Sequence, residues 1–142
     1  KHLKLFGFNN NNILGVDEKL VALTGIASER KWVSPLGIYK ADVVLVPLED
    51  GDRCEALVKA GKTVITIDLN PLSRTAQMAT VTIVDNIVRA LPLLISKLQD
   101  YQGRPRLTSA AVLKKYNNKL VLSKALQHIN KRLRILSNSI SS

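Results

Sequence analysis

ADVVLVPLEDGDRCEALVKAGKTVITIDLNPLSRTAQMATVTIVDN, residues 41–86, decides the fold. It holds three short apolar runs, Val43–Leu48, Thr63–Asp68 and Thr80–Val84, each rich in β-branched residues. Runs of this length between Gly, Pro, Asn and Asp residues read as buried strands. They lack strict polar alternation, as a parallel sheet covered on both faces requires. A helix over Asp52–Ala60 joins the first two runs. The expected fold is therefore α/β: a Rossmann-like parallel sheet core, β-α-β-α-β, followed by a C-terminal helical segment. In such a core, ligands bind where the carboxyl ends of the strands open into loops.

The punctuation of this stretch supports the reading. Asp52 is an N-cap candidate, with Glu55 at the capping-box spacing. Gly51 permits a tight strand-to-helix turn, and Ala60-Gly61 ends the helix with glycine just past its last residue. Asn70-Pro71 predicts a second N-cap with proline at the first helical position, opening a short helix over Pro71–Met78. About ten residues separate the second and third strands, close to the minimum for a parallel crossover. A further helix over Ile87–Leu98 contains Pro92, which either kinks it or separates its first turn.

Outward from the core, Lys1–Phe8 reads as the end of a helix and Asn9–Asn12 as a loop. Ser28–Lys31 reads as a charged surface stretch, and Ser34-Pro35 as the start of a helical turn. Residues 1–27 are expected to be the remnant of a preceding segment, 28–103 the core, and 104–142 a basic helical segment packed on it. The chain begins with Lys rather than Met, which reads as a chain processed or cut from something longer. Gln102–Arg106 has linker composition, Leu107–Lys115 suits a short helix, and Tyr116–Lys119 a turn or cap. In Leu120–Leu136, Leu122, Leu126, Ile129 and Leu133 form an apolar stripe at helical spacing. Ser137–Ser142 is expected to fray.

Composition narrows the function classes. The 142 residues carry a formal net charge of +10, but residues 1–103 hold twelve Lys or Arg against eleven Asp or Glu. Residues 104–142 hold nine Lys or Arg and no acid, so a nucleic-acid reading rests on the tail alone. Aromatic residues make up 4% of the chain, which argues against a base-stacking platform. The single Cys54 excludes an internal disulfide and fits a reducing, cytoplasmic setting. No apolar run approaches the ~20 residues of a membrane span, and no Cys/His pattern has metal-ligand spacing.

Three polar loops converge at one sheet edge in this topology. The first offers Glu49, Asp50, Asp52 and Arg53; the second Asp68, Asn70, Ser73, Arg74 and Thr75; the third Asp85 and Asn86. Helix N-termini and arginine favour phosphate. A carboxylate about twenty residues past the first turn suits a ribose hydroxyl, and carboxylates beside phosphates suit a metal-bound nucleotide. The pattern is compatible with a nucleotide site, although neither G-x-G-x-x-G nor a Walker-type loop is present. Each residue also has a structural reading: Asp52, Asn70 and Asp85 as caps, Asp50 as a turn residue, Arg74 as a solvated helix residue or a partner of Asp68. Cys54 and His128 have no catalytic partner in sequence.

Val46-Pro47-Leu48-Glu49-Asp50-Gly51-Asp52-Arg53, Ile67-Asp68-Leu69-Asn70-Pro71-Leu72-Ser73-Arg74-Thr75 and Ile83-Val84-Asp85-Asn86-Ile87-Val88-Arg89-Ala90 resemble the archaeal phosphopantothenate synthetase (4-phosphopantoate–β-alanine ligase) family. These pieces lie in a similar stretch from Ser34 to Pro92, and the looser likeness runs from Ser28 to about Arg134. The resemblance implies an ATP- and Mg2+-dependent ligase of coenzyme A biosynthesis. It joins 4-phosphopantoate to β-alanine through an acyl-adenylate, releasing AMP and pyrophosphate, and works as a cytoplasmic homodimer. ATP would lie on Asp68, Leu69, Asn70, Arg74, Thr75, Asn86 and Ile87, with Asp50 and Arg53 as substrate contacts. Family members are longer, with an N-terminal part that supplies further arginines, so this chain resembles their C-terminal portion. The alternative is a non-catalytic domain binding nucleic acid or an acidic partner through the basic C-terminal helix.

Overall fold

The computed structural model describes residues 5–7, 13–15, 18–48, 50–102 and 109–140. Glu49, the Asn9–Asn12 run and most of the Gln102–Arg106 linker lie outside them. Three parallel strands form the sheet: β3 (Val43–Val46), β4 (Thr63–Ile67) and β5 (Val81–Ile83), in that spatial order. Val43 pairs with Thr63, and Ile65 with Val81. β4 is central, and its Val64, Thr66 and Ile67 are buried. A separate two-stranded antiparallel pair, β1 (Val21–Ala22) and β2 (Trp32–Val33), precedes the sheet.

The helices are α1 (Gly51–Lys59), α2 (Arg74–Met78), α3 (Ile87–Asp100), α4 (Ser109–Lys115) and α5 (Asn118–Ile140). Cys54, Ala56 and Leu57 of α1 join Val46 and Val64 in the core, together with Leu23, Ile26 and Val33 from around the small hairpin. Gly61 ends α1 with φ +80°, and the Lys62 amide donates to Leu57 O at 3.0 Å. The left-handed backbone here requires glycine.

Several boundaries differ from the sequence expectation for local reasons. β3 stops at Val46 rather than Leu48 because Pro47 has no N–H for the ladder. β5 starts at Val81 rather than Thr80, since the Thr80 hydroxyl itself accepts the Val64 amide at 3.0 Å. α1 is capped by Asp50, not Asp52: the Asp50 side chain accepts the Arg53 amide. Asp52 and Glu55 therefore form no capping box and instead reach Arg74. α2 starts at Arg74 rather than Pro71 because Ser73 Oγ accepts the Ala76 amide at 2.9 Å. Asn70 closes only a turn, accepting from Leu72 N at 3.0 Å. α3 continues through Pro92 without a separate first turn.

The end of the chain also departs from expectation. α5 remains helical to Ile140 instead of fraying after Leu136. Its first turns contact α2 and β5, and Leu122 is buried, but residues 127–140 are exposed. The Tyr116–Lys119 segment acts on the sheet edge. Asn118 Oδ1 accepts the Thr82 amide at 2.9 Å, and Asn118 Nδ2 donates to Ala76 O and Ala79 O at 2.9 and 3.1 Å. The Tyr116 hydroxyl accepts from the same Thr82 amide at 3.2 Å. These side chains occupy a backbone donor that an edge strand would otherwise present to another chain. Among the described residues, no helix is long and apolar enough to cross a membrane.

Candidate functional site

Parallel pairing places the carboxyl ends of β3, β4 and β5 on one edge, and the three polar loops leave from there. The Asp68 amide donates to Ile83 O at 3.0 Å, extending the β4–β5 ladder by one residue. That bond sets the start of the second loop beside the start of the third. The first loop is tied to the second by the Asp50 amide, which donates to the Thr75 hydroxyl at 3.1 Å. Thr75 is fully buried, and its carbonyl accepts from Cys54 Sγ.

Within the second loop, one carboxylate organises the backbone. Asp68 Oδ1 accepts the Asn70 amide at 2.8 Å, and Oδ2 accepts the Ser73 hydroxyl. Ser73 in turn caps α2, so Asp68 fixes both the turn and the entry of the helix. The side chain of Leu69 is left exposed.

Arg74 does not reach Asp68. Its guanidinium bonds Asp52 and Glu55 on α1, fastening α2 to α1. Glu55 is held below the ordinary carboxylate value by its hydrogen bonds to Lys59 and then Arg74. The guanidinium of Arg74 is raised further above its ordinary value by Glu55 and Asp52. The stem of Arg74 crosses Gly51 so closely that a Cβ there would meet Arg74 Cβ, Cγ and Cδ at 3.1–3.2 Å. Glycine at the start of α1 thus makes room for the arginine of α2.

Asn86 caps α3, its side chain accepting from Val88 N at 2.9 Å. Asp85 is not the cap: it accepts the Asn86 amide at 2.6 Å and pairs with Arg89. Arg89, then that amide, lower the Asp85 pKa below its usual range. Ile87 is the first residue of this fourteen-residue helix, whose dipole favours an anion at this end.

Asp50 and Arg53 belong to a different arrangement. Asp50 faces Arg30 at 3.4 Å and Arg53 Nε at 3.7 Å, and Arg53 Nη2 donates to Arg30 O at 2.8 Å. Arg53 also lines a 460 Å³ cavity with Trp32, Val33 and Ser34. Sequence reading missed Arg30, because a charged stretch twenty residues from Asp50 carries no local signal of its partner. Cys54 has no exposed surface, and burial, then Asp50 and Glu55, push its pKa up to about 11. Such a thiol is a poor nucleophile. Among the described residues, no group of three or more His, Cys, Asp or Glu residues could hold a metal ion.

The geometry thus offers two adjoining polar loops, Asp68–Thr75 and Asp85–Ile87, beside a helix N-terminus. Comparison with known proteins adds an independent finding. Residues 1–132 match the family model described as phosphopantothenate/pantothenate synthetase. A relative from Thermococcus kodakarensis, named 4-phosphopantoate–beta-alanine ligase, is 50% identical over 121 residues, covering 85% of this chain and 46% of the relative. Ligases of the same name from Methanosarcina mazei and Thermococcus onnurineus are 50% and 52% identical, over 79% and 78% of this chain and 44% and 42% of theirs. The chain spans less than half the length of these relatives.

Proposed function

The chain belongs to the phosphopantothenate/pantothenate synthetase family, and from that membership we propose that it supplies the nucleotide-binding portion of an ATP-dependent ligase joining 4-phosphopantoate to β-alanine. The 4-phosphopantoate carboxylate attacks the α-phosphorus of ATP and pyrophosphate leaves. The β-alanine amine then attacks the acyl carbon of the adenylate and AMP leaves. Asp68 and Asn70 orient the nucleoside, and Leu69 covers it. Asn86 and the amide of Ile87 receive phosphate at the helix N-terminus.

Arg74 neutralises charge developing in adenylyl transfer, the main electrostatic task of that step. In the free chain its guanidinium is already paired with Asp52 and Glu55. A polyphosphate must therefore compete with two carboxylates, which hold the arginine ready at the edge of the loop. Thr75 acts through its hydroxyl, which accepts the Asp50 amide and joins the first loop to the second. Asp50 and Arg53 are assigned to the acid substrate, beside the cavity that Arg53 lines. Mg2+ enters with the phosphates, which supply oxygen ligands of the kind it prefers. The same reading places the enzyme in the cytoplasm as a homodimer.

The observation that supports this most is the Asp68 N–H to Ile83 O bond, because it brings the two proposed nucleotide loops side by side. Calorimetric titration with ATP and Mg2+ tests it. Asp68→Ala and Arg74→Ala are expected to weaken binding at least tenfold, by the factor of ten per 1.4 kcal/mol. Ser73→Ala removes the hydroxyl bonded to Asp68 but keeps the carboxylate, and is expected to bind more tightly than Asp68→Ala. Equal ATP affinity in Asp68→Ala and the parent would refute the assignment.

A further inference from the structure

Glu55 is shared between two cations. Its Oε1 faces Lys59 Nζ at 2.7 Å, and its Oε2 accepts from Arg74 Nη2. Lys59 lies one turn further along α1, and Glu followed by Lys at this spacing is the favoured order on a helix. Lys59 comes ahead of Arg74 among the groups that hold the Glu55 carboxyl below its ordinary value. The Glu55 side chain is 20% exposed, whereas Asp52, the other partner of Arg74, is 65% exposed. We propose, resting on the ligase reading, that Lys59 is a positioning residue for Arg74: by staying on Glu55, it lets the arginine pass from that carboxylate to the phosphates of ATP.

The exchange follows from what the arginine leaves behind. A mostly buried carboxylate stripped of its only cation is an uncompensated charge, and that opposes release. With Lys59 in place, Glu55 keeps a counter-ion on its other oxygen throughout. Asp52 loses only a solvent-exposed partner, a contact of little worth. Arg74 is the first residue of α2, so it reaches a phosphate at the strand ends by a change of side-chain rotamer, with the helix in place.

Lys59 does not take the phosphate itself. It is the last residue of α1, about 12 Å along the axis from Gly51 at the nucleotide edge. As an ordinary surface pair at the end of a helix, its loss would be independent of Arg74. As the cation that remains on Glu55, its loss must be felt at Arg74.

Two double-substitution cycles test this. The first is urea unfolding without nucleotide. Lys59 is 70% exposed, so Lys59→Gln leaves the core intact. Arg74→Ala should lower the midpoint more in the Lys59→Gln chain than in the parent, because Glu55 then loses its last cation. The second is calorimetric titration with ATP and Mg2+. Glu55→Gln is expected to bind ATP about threefold or more tightly than the parent, since only Asp52 then competes for the arginine. Lys59→Gln is expected to bind about threefold or more weakly, yet to change affinity by less than about twofold when Glu55 is already Gln. General attraction of ATP to a lysine would weaken binding equally in both backgrounds, and that result would overturn the proposal. So would a Glu55→Gln chain that binds no more tightly than the parent, or a Lys59→Gln chain that binds as tightly. Additive stability effects of Lys59→Gln and Arg74→Ala beside normal ATP binding would overturn the exchange alone. A parent chain that binds no ATP while the stability cycle stays coupled would refute the ligase reading, and the exchange with it.

Discussion

Asn118 is the position where a small side-chain change should have the most informative effect. Its amide holds three backbone groups: the Thr82 N–H, Ala76 O and Ala79 O. It thereby ties the edge strand and the end of α2 to the start of α5. Counting three lost bonds overstates the cost of Asn118→Ala. The Thr82 amide keeps the Tyr116 hydroxyl at 3.2 Å, and Ala76 O keeps the Thr82 hydroxyl at 2.8 Å. The main loss is then the bond to Ala79 O in a half-buried place, about 1–3 kcal/mol. Asn118→Asp preserves shape but removes both N–H donors and sets a negative charge against two carbonyl oxygens. A favourable helix-dipole contribution of about 0.3–1 kcal/mol at the N-terminus does not offset this. Urea unfolding followed by circular dichroism should therefore rank Asn118→Asp below Asn118→Ala by about 1 kcal/mol or more at neutral pH. The gap should narrow in acid, where a protonated Asp regains one donor. An aspartate variant as stable as the alanine variant at pH 7 would refute the donor role of Asn118.

Other consequences follow from the α1–α2 junction. Glu55 is lowered from its ordinary value of 4.5 by Lys59 and Arg74. Its pairing therefore stabilises the fold above that value and is lost as pH falls through the lower folded value. Urea midpoints measured from neutral pH into acid should fall more steeply for the parent than for Glu55→Gln; parallel curves would count against the clamp. Gly51→Ala should gain up to ~1 kcal/mol of helix propensity, yet a Cβ at 3.1 Å from Arg74 Cβ should displace that side chain. The variant is expected to be no more stable than the parent and to bind ATP more weakly, as measured by urea unfolding and calorimetry. Cys54, buried and raised to about 11, should react with a thiol reagent about 100-fold more slowly in the native chain than in urea; equal rates would contradict its burial.

What could be read from the sequence was what neighbouring residues decide together. The β-branched runs gave the three strands, and Ala60-Gly61 marked the end of α1, because pleat, propensity and left-handed backbone are local properties. Asp50 and Asp52 show where that stops. Both flank Gly51 with the same capping chemistry, and the choice between them is tertiary. Thr75 takes the Asp50 amide, and Arg74 draws Asp52 outward. Arg74 itself looked free to reach Asp68 across six residues but pairs with Glu55 nineteen residues away. Asn118 read as a turn residue because its partners lie 36 to 42 residues back. The position at the end of the chain predicted fraying from Ser137, while the apolar repeat continues to Ile140 and so does the helix. The proposed site residues stood out as polar groups at strand ends. Which of them hold each other in the free chain did not, because no periodicity encodes it.

Amide chemical-shift mapping of the isotope-labelled chain, titrated with ATP and Mg2+, tests the central claim most directly. Saturable shifts are expected to concentrate at Asp68–Thr75 and Asn86–Ile87, with residues 127–140 of α5 unmoved. ATP-dependent shifts confined to α5, or none at those two loops, would contradict it.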